Sequence, residues 1–139
     1  MRLFLDTSVM LSASGSARGA SREVFRRATA NRWLRTTTPY AIDEVMRHLP
    51  DCPIEASSDW AALRPQLLVM DDVFTPDMPV VFPVAKDKPI LFGALAWADV
   101  LLTLDRGAFQ TLLGNSVYGM PVLTPGAFLE RERTHVRLI

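Results

Sequence analysis

The chain has 139 residues, of which 49% are hydrophobic and 22% charged. This composition is ordinary for a globular protein, and the length predicts one domain over residues 1–139. The one cysteine, Cys52, excludes an internal disulfide framework and suits the reducing cytoplasm. No basic-then-apolar signal peptide opens the chain, and its longest uncharged run, Gly107–Leu129, contains four glycines and two prolines. We therefore expect a cytoplasmic protein that does not enter the membrane.

The formal net charge is zero, but charge is distributed unevenly along the chain. Residues 1–50 carry eight arginines against four acidic residues, whereas residues 51–105 carry nine acidic residues against three basic ones. An acidic middle beside a basic first third is compatible with a metal site next to a phosphate-binding surface. Random scatter of charge over the surface accounts for these counts equally well.

The segment Arg2–Val9 is the one on which the rest of the prediction depends. Three apolar residues run directly into Asp6, which is followed by the hydroxyl residues Thr7 and Ser8. A continuous apolar run bounded by polar residues is typical of a strand buried on both faces of a parallel sheet. Functional groups of open α/β sheets lie just beyond the carboxyl ends of the strands. Asp6 is therefore either a site residue or simply the cap of a helix or turn.

The next segment, Ser12–Gly19, is rich in Ser, Gly and Ala and predicts a flexible loop. A helix is expected from Ser21, a suitable N-cap. Arg18, Arg22 and Arg26 recur every four residues and share one face if the helix extends that far. That face is either a contact for nucleic-acid phosphates or an ordinary solvated helix surface.

A second short strand is predicted over Trp33–Thr37, and a helix then opens at Pro39, a residue favoured at the first helical position. Apolar residues at i, i+3, i+4 and i+7 predict its buried stripe, which consists of Ile42, Val45, Met46 and Leu49. Glu44 lies off this stripe. It is therefore either plain surface or an acid at the rim of a cleft.

The middle of the chain gives weaker patterns. Ser57 or Ser58 is expected to cap a further helix, with Trp60 and Leu63 facing inward. A third strand is expected somewhere in Asp71–Pro83, which mixes acidic residues, prolines and a short apolar run.

The carboxyl half repeats the form of the first strand. Ile90–Ala98 has the length and composition of a packed helix, and Val100–Leu104 is then a buried strand that ends at Asp105. Thr103 and Asp105 point to the same side of this strand, since side chains alternate with a period of two. The last predicted elements are a helix over Arg106–Leu113, a strand over Pro121–Leu123, a final helix opened by Thr124-Pro125 and a surface tail over Glu130–Arg137.

Strands that alternate with helices through short links predict a three-layer α/β/α sandwich with a central parallel sheet of about four or five strands. The right-handed crossover rule brings the carboxyl ends of the first and fourth strands to one edge, where Asp6 and Asp105 meet. Clustered carboxylates repel one another unless cations are present or some of them are protonated. Mg²⁺ or Mn²⁺ prefers oxygen ligands, and such ions activate water for attack on a phosphodiester.

Four short motifs follow one another along the chain: Leu5-Asp6-Thr7-Ser8-Val9, Ala41-Ile42-Asp43-Glu44-Val45, Asp87-Lys88-Pro89-Ile90-Leu91 and Thr103-Leu104-Asp105. Together they resemble the PIN-domain nucleases, especially the small single-domain toxins of the virulence-associated toxin C (VapC) type. The ending Val122-Leu123-Thr124-Pro125 is similar to that of the family as well. The resemblance spans nearly the whole chain and is weakest over residues 52–84.

This resemblance implies a PIN-like fold and a divalent-metal-dependent endoribonuclease, the toxin of a type II toxin–antitoxin pair. It implies Mg²⁺ (or Mn²⁺) as the cofactor, and one set of acids for both metal binding and catalysis: Asp6, Glu44, Asp87 and Asp105. Thr103 is expected to orient Asp105 through a hydrogen bond, and Ser8 to do the same near Asp6. The expected partners are an RNA substrate, an antitoxin protein and a second copy of the chain in a homodimer.

Two other hypotheses are open. A PIN-like module could bind RNA or a protein with weak or no catalysis, which Lys86 and Lys88 on either side of Asp87 favour, because they could compensate the carboxylates or weaken the metal site. A phosphotransfer domain or haloacid-dehalogenase-like phosphatase also begins with a strand that ends in an aspartate. The phosphatase pattern needs a second acid at the position of Ser8, which counts against it.

Several single residues carry weaker signals. His48 and His135 are isolated in sequence, so a histidine-based metal site or triad has little support. Cys52 has no nearby partner in the sequence and is better explained as inert than as a nucleophile. Asp99, at the amino end of the fourth strand, is interpreted as a turn or capping acid, and Asp43 as surface.

Overall fold

A six-stranded sheet forms the centre of the part of the chain that the computed structural model describes, residues 1–74, 82, 85–135 and 138–139. The strands are β1 (Arg2–Leu5), β2 (Leu34–Thr37), β3 (Leu68–Val69), β4 (Val100–Leu102), β5 (Ser116–Val117) and β6 (Met120–Leu123). Their order across the sheet is β3-β2-β1-β4-β6-β5. Every neighbouring pair is parallel except the β5–β6 hairpin.

Helices flank the sheet and complete a three-layer α/β/α sandwich, so the predicted fold class is confirmed. The sheet differs from the predicted four or five parallel strands in that it has six, of which β5 is antiparallel. They are α1 (Thr7–Gly15), α2 (Ala20–Asn31), α3 (Pro39–His48), α4 (Glu55–Leu63), α5 (Lys88–Trp97) and α6 (Pro125–Thr134). Short 3₁₀ turns occupy Leu49–Asp51, Arg64–Gln66 and Ala85–Asp87. None of the helices in the described ranges combines the length and the hydrophobicity that a membrane span requires.

The first and fourth strands lie side by side at the middle of the sheet. Leu3, Phe4 and Leu5 of β1 have 0% exposed surface, as expected of a strand covered on both faces. The backbone N–H of Asp6 donates to the carbonyl oxygen of Leu102 at 3.1 Å and extends the β1–β4 pairing by one residue. Asp6 and the residues after β4 therefore leave the sheet together at its carboxyl edge.

The fifth helix lies close against the centre of the sheet, where it contacts β1, β2 and β4. A Cβ atom on Gly93 would lie 3.2 Å from both the Phe4 ring and the Thr38 methyl carbon, so a larger residue here would require these side chains to shift by a few tenths of an ångström. The helix starts at Lys88, directly after Asp87. The packing of α5 therefore sets the position of Asp87 relative to the sheet.

The prediction of a loop over Ser12–Gly19 is wrong for its first half, because α1 extends from Thr7 to Gly15. Asp6 is the N-cap of this helix, and its carboxylate accepts a hydrogen bond from the Thr7 N–H at 2.7 Å. The segment lacks a one-sided apolar stripe, since α1 packs against α2, α3 and α4 and buries side chains in several directions.

The three regularly spaced arginines do not share a helix face, because α2 begins at Ala20 and Arg18 precedes it. Arg22 forms a salt bridge with Asp59 on α4 at 2.8 Å, and Arg26 forms one with Glu23 at 2.9 Å. Both guanidinium groups therefore already have structural partners within the chain.

The buried face of α3 is rotated from the predicted one. Ala41, Val45 and Leu49 are buried and Ile42 is half-buried, but the side chain of Met46 is 54% exposed. This difference arises because α3 packs mainly against the neighbouring helices α1 and α5 rather than flat on the sheet.

Two predicted elements are placed differently in the structure. The third strand is β3, which precedes the predicted segment Asp71–Pro83. Within that segment, residues 71–74 and 82 are not in a strand. The other residues of the segment, 75–81 and 83, lie outside the described residues. Arg106–Leu113 forms turns instead of a helix. Tertiary contacts hold these turns, since Phe109 is fully buried with its ring 5.1 Å from that of Phe82.

The predictions for the last helix, α6, and for the helix α4 are partly confirmed. The Thr124 hydroxyl caps α6 by accepting from the Ala127 N–H at 3.1 Å. The tail is not all surface, because α6 extends to Thr134 and buries Glu132. Serines 57 and 58 lie inside α4, which begins at Glu55, while the predicted inward residues Trp60 and Leu63 are buried.

Candidate active site

A cleft of about 360 Å³ opens at the carboxyl edge of the sheet, next to the ends of β1 and β4. All four predicted acids line it: Asp6, Glu44, Asp87 and Asp105. They come from four separate segments, namely the end of β1, the middle of α3, the turn before α5 and the segment after β4. The fold thus brings together carboxylates that are up to 99 positions apart in the sequence.

Asp6 is the most buried of these acids, with 4% of its surface exposed. Its Oδ1 accepts the Thr7 N–H, and its Oδ2 accepts the hydroxyls of Ser8 at 3.0 Å and Thr103 at 2.7 Å. Burial raises the pKa of Asp6 from 3.8 to about 6, although these three hydrogen bonds oppose the shift. The nearby charge of Asp87 raises the same pKa further. The ionised form is therefore costly but specifically solvated by protein donors.

The two hydroxyls that contact Asp6 also hold the chain beyond β4. The Ser8 Oγ accepts the backbone N–H of Leu104 at 3.0 Å, and the Thr103 Oγ1 accepts that of Asp105 at 3.0 Å. Ser8 lies where the sequence predicts it, beside Asp6. Thr103 forms the predicted hydrogen bond with Asp105, but as the acceptor of its backbone N–H; the hydroxyl proton of Thr103 is donated to the carboxylate of Asp6.

Asp105 has a local structural role in addition to its place in the cleft. Its Oδ1 accepts the backbone N–H groups of Gly107 at 3.1 Å and Ala108 at 2.9 Å. This pattern caps the turn that follows the carboxylate and fixes its orientation from the backbone side.

Glu44 is connected to the first helix of the chain. The hydroxyl of Thr7 lies 3.3 Å from the Glu44 Oε1 and 3.3 Å from the carbonyl oxygen of Ala41, so it shares one proton between two acceptors. The half-buried Glu44 side chain thereby reaches the rim of the cleft, one of the two alternatives that its position in the sequence left open.

Asp87 is buried, with 6% exposure, and its Oδ2 has no hydrogen-bond partner among the described residues. Burial raises the pKa of Asp87, and the charges of Glu44 and Asp105 raise it as well. The ammonium of Lys86 acts in the opposite direction. An unpartnered, buried carboxylate oxygen beside other acids is a position where a cation would be stabilising.

Further residues of the cleft were not among the predicted metal ligands, although Lys86 was noted beside Asp87, and His48 and Cys52 were set aside. The wall also contains His48, Asp51, Cys52 and Lys86. His48 and Asp51 follow Glu44 by four and seven positions, so helical spacing from Glu44 was the signal that could have found them. Asp99, by contrast, lies at the opposite edge of the sheet, where it accepts the backbone N–H of Arg2 at 2.7 Å.

Comparison with known proteins finds likenesses among solved structures. The fold is similar to that of a chain in the crystal structure of VapBC2 from Rickettsia felis bound to a DNA fragment from their promoter, with a TM-score of 0.59 and 12% sequence identity. The likeness covers 88% of this chain and 97% of that one. No protein-family model and no curated protein matches the sequence. At this identity the likeness shows the fold and nothing finer.

The cleft contains the oxygen donors that a hard divalent cation prefers, but these donors are not arranged as a complete set of ligands. Within the described residues, no group of three or more His, Cys, Asp or Glu side chains is arranged to hold a metal ion. Mg²⁺, however, usually binds through one or two carboxylates and keeps several waters. The unpartnered Oδ2 of Asp87 and the buried carboxylate of Asp6 supply oxygen donors of this kind. The residues therefore fit a cation held by few direct ligands and by water.

Proposed function

We propose that this chain is a divalent-metal-dependent endoribonuclease of the PIN-domain type, which hydrolyses RNA phosphodiester bonds. The observation that carries the proposal is the meeting of Asp6, Glu44, Asp87 and Asp105 in one cleft at the carboxyl edge of a parallel sheet. The fold likeness to a VapBC2 chain supports it independently. Asp6 and Asp87 would hold Mg²⁺ or Mn²⁺ directly, and Glu44 and Asp105 would act from the rim, on the ion or on its water ligands.

The residues of the cleft have distinct parts in this proposal. A divalent cation, when bound, lowers the pKa of a water ligand and offsets the charge of the scissile phosphate. Asp6 and Asp87 would bind that cation, a rim carboxylate, Glu44 or Asp105, would accept the proton of the attacking water, and the Lys86 ammonium would attract the phosphate. The pKa of Asp6, about 6, leaves it mostly ionised at neutral pH and so able to bind a cation.

The biological setting is proposed from the same resemblance. We infer that the chain is the toxin of a type II toxin–antitoxin pair, with an antitoxin protein as partner, a homodimer as its assembly and the cytoplasm as its location. The similar solved chain belongs to a VapBC2 structure with promoter DNA, which supports an antitoxin partner. The order of the four motifs supports a single domain over residues 1–139.

One observation favours a second candidate function, a PIN-like module that binds RNA or a protein without cutting it. Among the described residues no three ligands are arranged for one metal ion, and Lys86 already offsets part of the charge of Asp87. Because the Lys86 ammonium offsets part of the negative charge of the cleft, the carboxylates need a bound cation less than they would without this lysine.

The first experiment is cleavage of an end-labelled RNA pool by purified protein in Mg²⁺, Mn²⁺ or EDTA. We expect metal-dependent cleavage that falls by more than about a hundredfold in Asp6→Asn, beyond the usual effect of losing an outer partner of a metal ligand. Asp43→Asn is the matched control, because Asp43 is exposed on α3 and outside the cleft, and we expect it to cut like the wild type.

The outcomes separate the two candidates. Undiminished cleavage by a folded Asp6→Asn protein would contradict the proposed site. If the wild type binds the RNA pool but cuts it with neither metal, the non-catalytic module is the better description.

A further inference from the structure

Tyr40 makes two contacts that join separate parts of the chain beside the cleft. It lies in the first turn of α3, where its backbone N–H donates to the Asp72 Oδ1 at 3.0 Å. Its phenol hydroxyl donates to the backbone carbonyl oxygen of Lys86. Asp72 follows β3, and Lys86 lies in the 3₁₀ turn that leads into α5. One residue of α3 therefore contacts two points that are 14 positions apart in the sequence.

The hydroxyl contact acts on the backbone of a predicted site residue. The carbonyl of Lys86 and the backbone nitrogen of Asp87 belong to the same planar peptide group, so a hydrogen bond to that carbonyl restrains the backbone of Asp87 as well. Tyr40 precedes Glu44 by four positions, which places both on the same side of α3. The contact thus sets the distance between the helix that carries Glu44 and the turn that carries Asp87.

The side chain of Asp87 depends on such a backbone restraint. Its Oδ2 has no partner among the described residues, whereas the carboxylate of Asp6 is held by three donors. We propose that Tyr40 is a positioning residue, which holds the Lys86–Asp87 peptide against α3 so that Asp87 is in place to bind the divalent cation. This inference rests on the proposed function. The phenol of Tyr40 donates its proton to the Lys86 carbonyl, so Tyr40 acts through the backbone and not as a catalytic acid.

The test compares Tyr40→Phe with Tyr118→Phe. The first change removes only the hydroxyl that contacts Lys86, and the second makes the same chemical change in the β5–β6 hairpin, outside the cleft. Binding of Mn²⁺ to RNA-free protein is measured by isothermal titration calorimetry. We expect Tyr40→Phe to weaken Mn²⁺ binding by about tenfold or more, the usual effect of losing a partner outside the ligand shell, and Tyr118→Phe to bind like the wild type.

A second readout needs no metal and no RNA. Trypsin cleaves after lysine but not before proline, so in the turn before α5 it can cut after Lys86 and not after Lys88, which precedes Pro89. Brief digestion in EDTA, followed by mass spectrometry, gives the rate of this cut. We expect faster cleavage after Lys86 in Tyr40→Phe, with the rates at other sites unchanged, and no such increase in Tyr118→Phe.

The two readouts keep the inference and the proposed function apart. Equal cleavage after Lys86 in Tyr40→Phe and wild type would overturn the inference, whatever the metal does. Faster cleavage together with unchanged Mn²⁺ affinity would overturn the link between Tyr40 and the cation. A wild type that binds no Mn²⁺ and cuts no RNA, with Tyr40→Phe still opening the turn, would overturn the proposed function while leaving the restraint on the peptide intact.

Discussion

The cleft has a sheet wall, formed by Asp6 and Asp105, and a helix wall, formed by Glu44 and Asp87. Each carboxylate of the sheet wall accepts at least two hydrogen bonds within the first residues beyond β1 and β4. On the helix wall, and among the described residues, Glu44 accepts a single shared bond at 3.3 Å and Asp87 leaves its Oδ2 unpartnered. The same type of side chain is thus organised on one wall and weakly constrained on the other.

The origin of this difference is the secondary structure that carries each wall. Neighbouring parallel strands end at one edge, so the residues after β1 and β4 are adjacent by virtue of the backbone ladder alone. Glu44 and Asp87 come from separate helical segments, whose distance depends on side-chain contacts such as that of Tyr40 with Lys86. We infer that the sheet wall is preformed and that a cation would mainly order the helix wall.

The largest expected effect concerns the free energy of unfolding and its dependence on pH. Because the pKa of Asp6 is raised from 3.8 to about 6 in the folded protein, the unfolded chain releases this proton at lower pH than the folded one. The free energy of unfolding therefore falls as the pH rises from about 4 to about 6, and is constant above that window as far as Asp6 is concerned. The expected loss is at most about 3 kcal/mol.

This prediction is measured by urea denaturation in EDTA at several pH values, with Asp6→Asn as the reference. We expect the stability of the wild type relative to the variant to decrease across this window, since only the wild type has the group that titrates. Parallel pH profiles for the two proteins would show that Asp6 is not the buried acid that the structure indicates. Adding Mg²⁺ should restore stability mainly at the upper end of the window, where Asp6 is ionised.

The next largest effect is expected from Thr103→Val, which keeps the shape of the side chain but removes the short hydroxyl contact to Asp6 and the acceptor of the Asp105 N–H. The hydroxyl lowers the pKa of Asp6, so its loss raises that pKa further and weakens cation binding near neutral pH. We expect about 10- to 100-fold weaker Mn²⁺ binding, with its pH profile moved to higher pH. Calorimetric titrations at several pH values measure both changes.

Thr36→Val is the matched control for this experiment. The Thr36 hydroxyl is equally buried, but it donates to the backbone carbonyl oxygen of Leu3 at 2.8 Å instead of to a carboxylate. We expect a comparable loss of stability and no change in Mn²⁺ affinity. If the two valine variants lose metal affinity equally, the effect of Thr103 is a general effect of core disruption.

The sheet wall was largely predictable from the sequence, because its residues follow uninterrupted apolar strands. The apolar run of Leu3, Phe4 and Leu5 predicts a buried strand, and the apolar run that ends at Asp105 has the same form. The rule for crossovers then places the carboxyl ends of both strands, and with them Asp6 and Asp105, at one edge of the sheet. The direct pairing of β1 with β4 is seen only in the structure. The sequence spacing could not predict which carboxylate accepts the hydroxyl proton of Thr103. In the structure it is the carboxylate of Asp6 and not that of Asp105.

The helix wall and the elements around it were less predictable, because tertiary contacts override local patterns there. α1 has no one-sided stripe since three helices surround it, and its Ser- and Ala-rich sequence therefore predicted a loop. Met46 is exposed although it continues an apolar spacing, because α3 faces other helices. Asp87 was chosen only through the family resemblance, and its contact through Tyr40 depends on a backbone carbonyl, which leaves no trace in the sequence.

The smallest expected effect is that of Thr7→Val, which removes the hydrogen bond between the hydroxyl of Thr7 on α1 and Glu44 of the helix wall. The Thr7 hydroxyl shares its proton between Glu44 and the carbonyl of Ala41 at 3.3 Å, so its removal costs less than the loss of a short bond to a buried carboxylate. We expect Mn²⁺ binding to weaken by about two- to fivefold, which corresponds to roughly 0.5–1 kcal/mol.

Calorimetry measures this change, and combination with Glu44→Gln shows whether it acts through Glu44. In that case the double variant should bind Mn²⁺ no more weakly than Glu44→Gln alone. An effect as large as that of Thr103→Val would mean that the helix wall is held as firmly as the sheet wall, and the distinction between a preformed wall and a cation-ordered wall would be lost.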